Sequence, residues 1–480
     1  MEIKLPQAVE TIISRLEELG YEAYAVGGCV RDTLMGREPE DWDITTSAKP
    51  MEIKKAFRRT IDTGIQHGTV TVMLDHVGYE VTTYRIDGEY EDRRHPKQVQ
   101  FTANLVEDLR RRDFTINAMA YNPKTGLVDA FDGVGDLERG VICCVGDAGQ
   151  RFDEDALRML RAVRFSGQLG FSISEETKEA ITVRARHLEK ISAERIRVEL
   201  TKLLVSQGAG QIKEAVSTGM TAYFLPELDE MMWVEQKNRH HVFTVGEHCI
   251  HSVRVMNLFF GEGRLTWRGG SIPEEVMETG KKIAEKCDKK AHQALCLTML
   301  LHDVAKPACM TVDEAGVGHF RGHPRMGEEM AGKILRRLTF DNETIHLVKC
   351  LIFHHDEQVQ PESRSLRRAT ARIGRERMLL LLLVQFADVL SQNPELAGDK
   401  LARILAVYHA FIRMEEERPA LTVKELAVTG RDIMTELSVS PGPQIGEILQ
   451  YLLEQVLDHP EKNCRDVLLA LAKSEYSGKL

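Results

Sequence analysis

Two aspartates separated by a single residue, Asp41 and Asp43 in Asp41-Trp42-Asp43, follow the segment Gly27-Gly28-Cys29-Val30-Arg31-Asp32. On a strand, residues two apart face the same side, so both carboxylates would enter one site. Such a pair is costly to hold together unless a cation sits between. Hard oxygen ligands suit magnesium, which stays partly hydrated and is completed by substrate phosphates. Paired metal ions of this kind can activate an attacking hydroxyl and stabilise a leaving pyrophosphate. The glycines let backbone N–H groups approach a triphosphate, and Arg31 adds charge-assisted bonds.

A second constellation is Glu154-Asp155-Ala156-Leu157-Arg158, continued by Arg161 and Arg164. Read as one helix, it makes Asp155 and Arg158 surface neighbours and sets the three arginines in one row. A carboxylate accepts from the N4 amino group of cytosine or the N6 amino group of adenine, and a guanidinium donates to the atom beside it. Uracil and guanine would leave both groups mismatched, which is a strong basis for rejection. The plainer reading is a solvated Asp–Arg pair on a basic ridge.

A third set is spread over the C-terminal half: His248 after Gly246-Glu247, His302-Asp303 after the mostly apolar run Leu295 to Leu301, and Asp388 at the end of another apolar stretch. Imidazole and carboxylate ligands suit a transition metal or magnesium. Lys306, His323 and His354-His355-Asp356 lie between. His323, His354 and His355 are candidates for a second set of ligands or for binding phosphate.

The elements that must position these groups change character along the chain. Residues 7–20 form an amphipathic helix closed by Gly20, Tyr21 to Val26 a strand, and Asp43-Ile44 the core of another. His67 to Leu74 and Tyr79 to Arg85 read as a strand pair turned at His76-Val77-Gly78. After Arg151, helical periodicity dominates. The expected fold is α+β, with a mixed-sheet head at 1–148, a helical neck at 149–228, a metal-binding helical domain at 229–400 and a helical tail at 401–480.

The GGCVRD and DWD segments resemble the signature of the tRNA nucleotidyltransferase and bacterial poly(A) polymerase family, within the DNA polymerase beta superfamily. Thr63-Gly64-Ile65-Gln66-His67-Gly68-Thr69-Val70, Arg111-Arg112-Asp113-Phe114-Thr115-Ile116-Asn117-Ala118 and the EDxxR helix continue the likeness over roughly residues 20–225. The resemblance implies a polymerase-beta-like head with Asp41 and Asp43 as catalytic Mg2+ ligands. It makes Gly28, Arg31, Arg112, Asp155, Arg158, Arg161 and Arg164 nucleotide contacts, the EDxxR helix acting as a protein template. Its implied partners are CTP, ATP and the tRNA 3′ end. The order H…HD…D resembles the HD superfamily, whose members are often phosphohydrolases, and implies His248, His302, Asp303 and Asp388 as ligands of a divalent transition metal or Mg2+. A polar segment from Arg85 to Pro96 corresponds to the loop the family uses to switch from C to A addition, and its length favours complete CCA addition. Poly(A) synthesis, partial addition, or a chiefly hydrolytic HD protein are the alternatives.

Composition sets the frame. The chain has 480 residues, a span suited to several domains, and a formal net charge of −10. That acidity argues against bulk attraction to nucleic acid and leaves local patches: Arg58-Arg59, Arg93-Arg94-His95-Pro96-Lys97, Arg110-Arg111-Arg112 and the 158/161/164 row. No apolar run approaches the ~18 residues of a membrane span, and no basic-then-apolar leader opens the sequence. Nine scattered cysteines without a CxxC pair read as reduced thiols in a cytoplasm.

Overall fold

The computed structural model describes residues 3–87, 99–240, 242–261 and 272–476. The chain divides into two compact units, Met1–Asp229 and Glu230–Leu480.

The first unit opens with α1 (Gln7–Glu18), whose Val9, Ile12, Ile13 and Leu16 recur at three- and four-residue steps and are all buried. Gly20 takes a left-handed φ of 86° and ends the run. The strands β1 (Ala23–Val26), β2 (Ile44–Thr46), β3 (Thr60–Gly64), β4 (Thr69–Leu74), β5 (Val77–Thr83), β6 (Arg85–Asp87), β7 (Val99–Phe101), β8 (Met119–Asn122) and β9 (Gly126–Asp129) follow. Seven form one sheet in the order β3-β4-β5-β2-β1-β8-β9. The β2–β5 pair is parallel and the other pairs antiparallel, so the head is a mixed sheet as expected. The helices α2 (Gly28–Leu34), α3 (Pro50–Ala56), α4 (Leu105–Arg110) and α5 (Gly133–Arg139) are interleaved.

Two local readings are corrected. The β4–β5 turn is Asp75-His76, not His76-Val77-Gly78: Leu74 pairs with Val77, and both turn residues have positive φ, 47° and 66°. That is the two-residue hairpin geometry whose twist matches the strands. Asp41 and Asp43 lie in the approach to β2 rather than within it. The N–H of Val26 still donates to the Asp43 carbonyl at 3.0 Å, so the chain at Asp43 already runs along β1. The segment from Arg85 to Pro96 falls largely on residues 88–98, outside the described residues, together with the basic cluster Arg93 to Lys97.

The neck is helical: α6 (Ala148–Glu154), α7 (Leu157–Leu169), α8 (Glu175–Arg184) and α9 (Ala193–Leu204). The EDxxR segment is not one helix. Asp155 is extended (φ −144°, ψ 102°), and its Oδ1 accepts from the N–H of Leu157 at 3.1 Å, starting α7 afresh. An aspartate that caps the backbone competes with helix continuation.

The second unit is mainly helical, with a short hairpin, Thr311–Val312 against Gly318–His319. Helix Val245–Phe259 starts with a reciprocal capping box between Thr244 and Glu247. Helix Lys289–Leu301 is buried throughout its second half, from Ala294 to Leu301. Helices His323–Arg337, Asn342–His354 and Arg375–Leu390 pack with these. Among the described residues no helix is long and apolar enough to cross a membrane.

Candidate functional site

In the head, the parallel register of β2 and β5 sets Ile44 beside Val81, which brings Glu80 level with Asp43. The carboxyl of Glu80 is shifted upward, by crowding of protein around it first and then by the charges of Asp43 and Asp41. Asp43 is shifted the same way by burial, with Arg112 opposing and Asp41 adding. Asp43 and Glu80, each raised by burial and by neighbouring negative charge, form with Asp41 a donor set that suits a hard divalent cation. Glu80 escaped the sequence reading because only strand pairing joins it to the DWD segment.

The glycine requirement falls on Gly27 rather than on Gly28. Gly27 has φ 83°, and a Cβ there would meet Nη1 of Arg112 at 2.8 Å; at Gly28 the nearest atom is Nη2 of Arg31 at 3.8 Å. Arg112 thus packs directly over the turn, with its Nε buried and, among the described residues, without a hydrogen-bond partner. Arg31 is buried, forks onto Asp32 through Nε and Nη2 at 2.9 and 3.0 Å, and donates to Asn117 Oδ1 at 2.7 Å.

The arginine row of α7 is not a solvated ridge. Arg158 pairs with Glu154 at 2.6 Å and donates to the Arg111 carbonyl at 2.9 Å. Arg161 grips Asp113 at 2.6 and 2.8 Å, and Arg164 is buried against Glu199. Asp155 does not pair with Arg158. It receives Nη1 and Nη2 of Arg195 at 3.1 and 2.7 Å, a fork from the start of α9. Arg195, Asp113 and Glu199 were missed because their partners lie far away in sequence; the segment Ser192-Ala193-Glu194-Arg195 gave only a helix start.

In the second unit, His248, His302, Asp303 and Asp388 converge. Nε2 of His248 lies 3.1 Å from Nε2 of His302 and 2.9 Å from Asp388 Oδ1; Asp303 Oδ2 is 3.3 Å from His302 Nε2 and 3.7 Å from His248 Nε2. Both rings spend Nδ1 on carbonyl oxygens, His248 on Ser391 at 3.2 Å and His302 on Met299 at 2.8 Å. A carbonyl only accepts, so Nδ1 carries the hydrogen and Nε2 is the atom turned toward the cluster. Burial alone would lower the His302 pKa, but Asp303, Cys249 and Asp388 hold it well above the usual imidazole value. Asp303 and Asp388 are held well below the carboxylate range despite burial, Asp303 by Lys306 first and Asp388 by His248. His248, His302, Asp303 and Asp388 are thus the residues that could hold a divalent cation here. His354 is not part of it: its Nδ1 turns to Glu357 at 2.7 Å.

The poly A polymerase head domain family matches residues 23–143, a family described as "Probable RNA and SrmB- binding site of polymerase A" matches 170–232, and the second tRNA nucleotidyltransferase domain matches 323–472. The CCA-adding enzyme of Limosilactobacillus reuteri is 34% identical over 465 residues, covering 95% of this chain and 94% of that relative. The chain belongs to the CCA-adding enzyme family. With other curated relatives in the family the match spans about half their length: the CCA-adding enzyme of Lactiplantibacillus plantarum is 54% identical over 201 residues, 42% of this chain and 49% of the relative. The solved CCA-adding enzyme of Bacillus stearothermophilus in complex with CTP shares 28% identity at a TM-score of 0.70, covering 98% of both chains. The Thermotoga maritima CCA-adding enzyme complexed with tRNA shares the fold, at 19% identity and a TM-score of 0.57 over 97% of this chain and 94% of that one. The CCA-adding fold thus accounts for the mixed-sheet head followed by helices.

Proposed function

We propose that this chain adds C, C and A in turn to the tRNA 3′ end from CTP and ATP, without a nucleic-acid template. The observation that carries this reading is the carboxylate set of Asp41, Asp43 and Glu80 beside Arg112 and the Gly27 turn. The tRNA 3′-hydroxyl attacks the α-phosphate of the bound nucleotide in line, and pyrophosphate leaves. Asp41 and Asp43, with Glu80, would hold Mg2+, which supplies charge to lower the pKa of the attacking hydroxyl and to neutralise the leaving oxygens. Arg112 and Arg31 orient the triphosphate, and Gly28, with Gly27, lets backbone N–H groups approach it. Asp155 and Arg158 read the base, and Arg161 and Arg164 support them. The nine free thiols accord with a cytoplasmic setting.

The test uses magnesium and a tRNA transcript ending at the discriminator base, with CTP, ATP, UTP and GTP offered singly and together and the product ends sequenced. Addition of C, C and one A supports the reading. A run of A moves the chain to poly(A) synthesis, and CC alone points to residues 85–100. Asp41→Ala with Asp43→Ala should abolish addition while tRNA binding persists; undiminished addition would remove these aspartates from the site.

A second reading is favoured by the Nε2 atoms that converge on Asp303 and Asp388. The HD cluster of His248, His302, Asp303 and Asp388 is a metal-dependent phosphohydrolase centre, with Mg2+ or a transition metal as its ion. Nucleoside 2′,3′-cyclic phosphates assayed across several divalent metals check it, and silence with every metal leaves the cluster a structural role.

A further inference from the structure

Asp108 lies in α4, one turn before Arg111 and Arg112, and its side chain is fully buried. A buried carboxylate is costly unless its lone pairs are met. Its Oδ1 accepts from Nε of Arg111 at 3.0 Å, with Nη2 of the same guanidinium at 2.9 Å, and from the N–H of Arg85 at 3.3 Å. Its Oδ2 accepts from the Thr45 hydroxyl at 3.0 Å. Thr45 lies in β2, two residues beyond Asp43, and Arg85 is the first residue of β6. One carboxylate thus ties α4 both to the strand that leaves the DWD segment and to the root of the β6–β7 pair.

Arg112 is held differently from Arg111. Its Nη2 stands 3.9 Å from Oδ2 of Asp108, too far for a hydrogen bond, and its side chain is 20% exposed. Its Nη1 faces the Gly27 turn, which leaves no room for a Cβ. Burial works against the charge on Arg112, and Asp108 is the first of the groups that sustain it, ahead of Asp43. The Asp108 carboxyl is itself held below the usual carboxylate range despite burial, by Arg111 first and then by Arg112. A guanidinium gripped by a fork has spent that edge; one held by charge alone keeps its donors for a ligand. Resting on the reading of Arg112 as a triphosphate contact, we propose that Asp108 is a positioning residue for the nucleotide's phosphates. It spends its hydrogen bonds on Arg111, Thr45 and the start of β6, and holds Arg112 by charge, seated on the Gly27 turn and open to phosphate. Asp108 touches no substrate, and its effect on nucleotide binding passes through Arg112.

The experiment uses the full chain with Mg2+ and no RNA, so that nothing turns over. Radiolabelled CTP is bound in equilibrium dialysis and displaced with inorganic tripolyphosphate, which reports the phosphate contacts of that site alone. Asp108→Asn keeps the size of the side chain and removes its charge. It should weaken tripolyphosphate binding about 10- to 100-fold, the worth of one charge-assisted contact. In a chain that already carries Arg112→Ala, the same substitution should change that binding less than about twofold, because its effect passes through Arg112. A dissociation constant does not depend on how much of the chain is folded, so a merely structural role lowers the number of sites and leaves both ratios near one. That result, or equal losses in the two backgrounds, overturns the proposal. If Asp108→Asn does not fold, Asp108→Glu replaces it and shifts the charge by one methylene; a loss of at least about threefold in the parent and under about twofold beside Arg112→Ala is then expected, and no loss in the parent overturns the proposal. A parent chain that binds no CTP overturns the nucleotide site as well.

Discussion

Asp155→Asn separates base reading from scaffolding. In the structure Oδ1 of Asp155 accepts from Arg195 and from the Leu157 N–H, while Oδ2, among the described residues, accepts only from Arg195. A carboxylate oxygen has two acceptor positions, so Oδ2 keeps one for an incoming amino group. Asparagine offers a single oxygen, which Arg195 and Leu157 claim, and turns an NH2 toward the base. Cytosine then loses a charge-assisted bond worth about 1.5–3 kcal/mol, while uracil O4 gains a donor worth roughly 1 kcal/mol. The CTP-to-UTP preference should fall by roughly 2.5–4 kcal/mol, about 60- to 700-fold. Single-turnover addition to a tRNA ending at the discriminator base, run with CTP and with UTP, gives that ratio as kcat/KM. Arg195→Ala is the control: it should lower CTP and ATP use together without admitting UTP. A ratio within twofold of the parent in the Asn variant, with both nucleotides slowed alike, would show that Asp155 only anchors Arg195, and the base-reading argument would be refuted.

Gly27→Ala forces a side chain into a left-handed backbone position and against Nη1 of Arg112; a loss of about 1–2 kcal/mol in denaturant stability and a raised KM for nucleotide are expected. Lys306→Met strips the ammonium from Asp303 in a site where both side chains are less than a tenth exposed. About 3–5 kcal/mol should be lost, visible as a lower urea midpoint and partly restored by divalent metal; an unmoved midpoint contradicts the pairing. Burial alone would raise the Asp113 pKa, but Arg161 and Asn117 hold it far below the usual carboxylate range. A depressed folded-state pKa contributes stability above the unfolded value, near 4, which is lost as pH falls through the folded value. Asp113→Asn should therefore flatten the stability-versus-pH curve below about pH 4, and an unchanged acid limb would remove Asp113 from the balance.

What could be read from the sequence was whatever depends on neighbours in the chain. The Gly-Gly turn and the DWD pair stand close together, and His248, His302-Asp303 and Asp388 announced themselves because each polar residue interrupts or ends an apolar helical run. Pairings between distant elements were silent. Glu80 joins Asp43 only through parallel strand register, and Arg195 reaches Asp155 from another helix. The EDxxR segment was misread as continuous because neither proline nor glycine marks the break; the side chain of Asp155 makes it by capping Leu157. The same limit applied to the arginine row, whose partners Asp113 and Glu199 are remote, so paired guanidinium groups looked like a solvated ridge.

These remote pairings together give the first unit a continuous polar chain. Asp32 holds Arg31, Arg31 donates to Asn117, Asn117 Nδ2 donates to Asp113 at 3.1 Å, and Asp113 holds Arg161. Arg161 lies 3.8 Å from Glu199, which holds Arg164. The guanidinium groups of Arg31, Arg161 and Arg164 also gather on one ring, Phe165, at 5.1, 5.3 and 3.9 Å from its centroid. Three like charges so close need the carboxylates between them and the ring's negative face to be tolerated. Under the proposed roles, the arginine that would orient the triphosphate and the arginines of α7 are thereby fixed relative to each other by shared partners. If the chain measures one nucleotide at both ends without a template strand, as proposed, this network supplies the rigid distance: a shift at the phosphate end would strain the same bonds that hold α7.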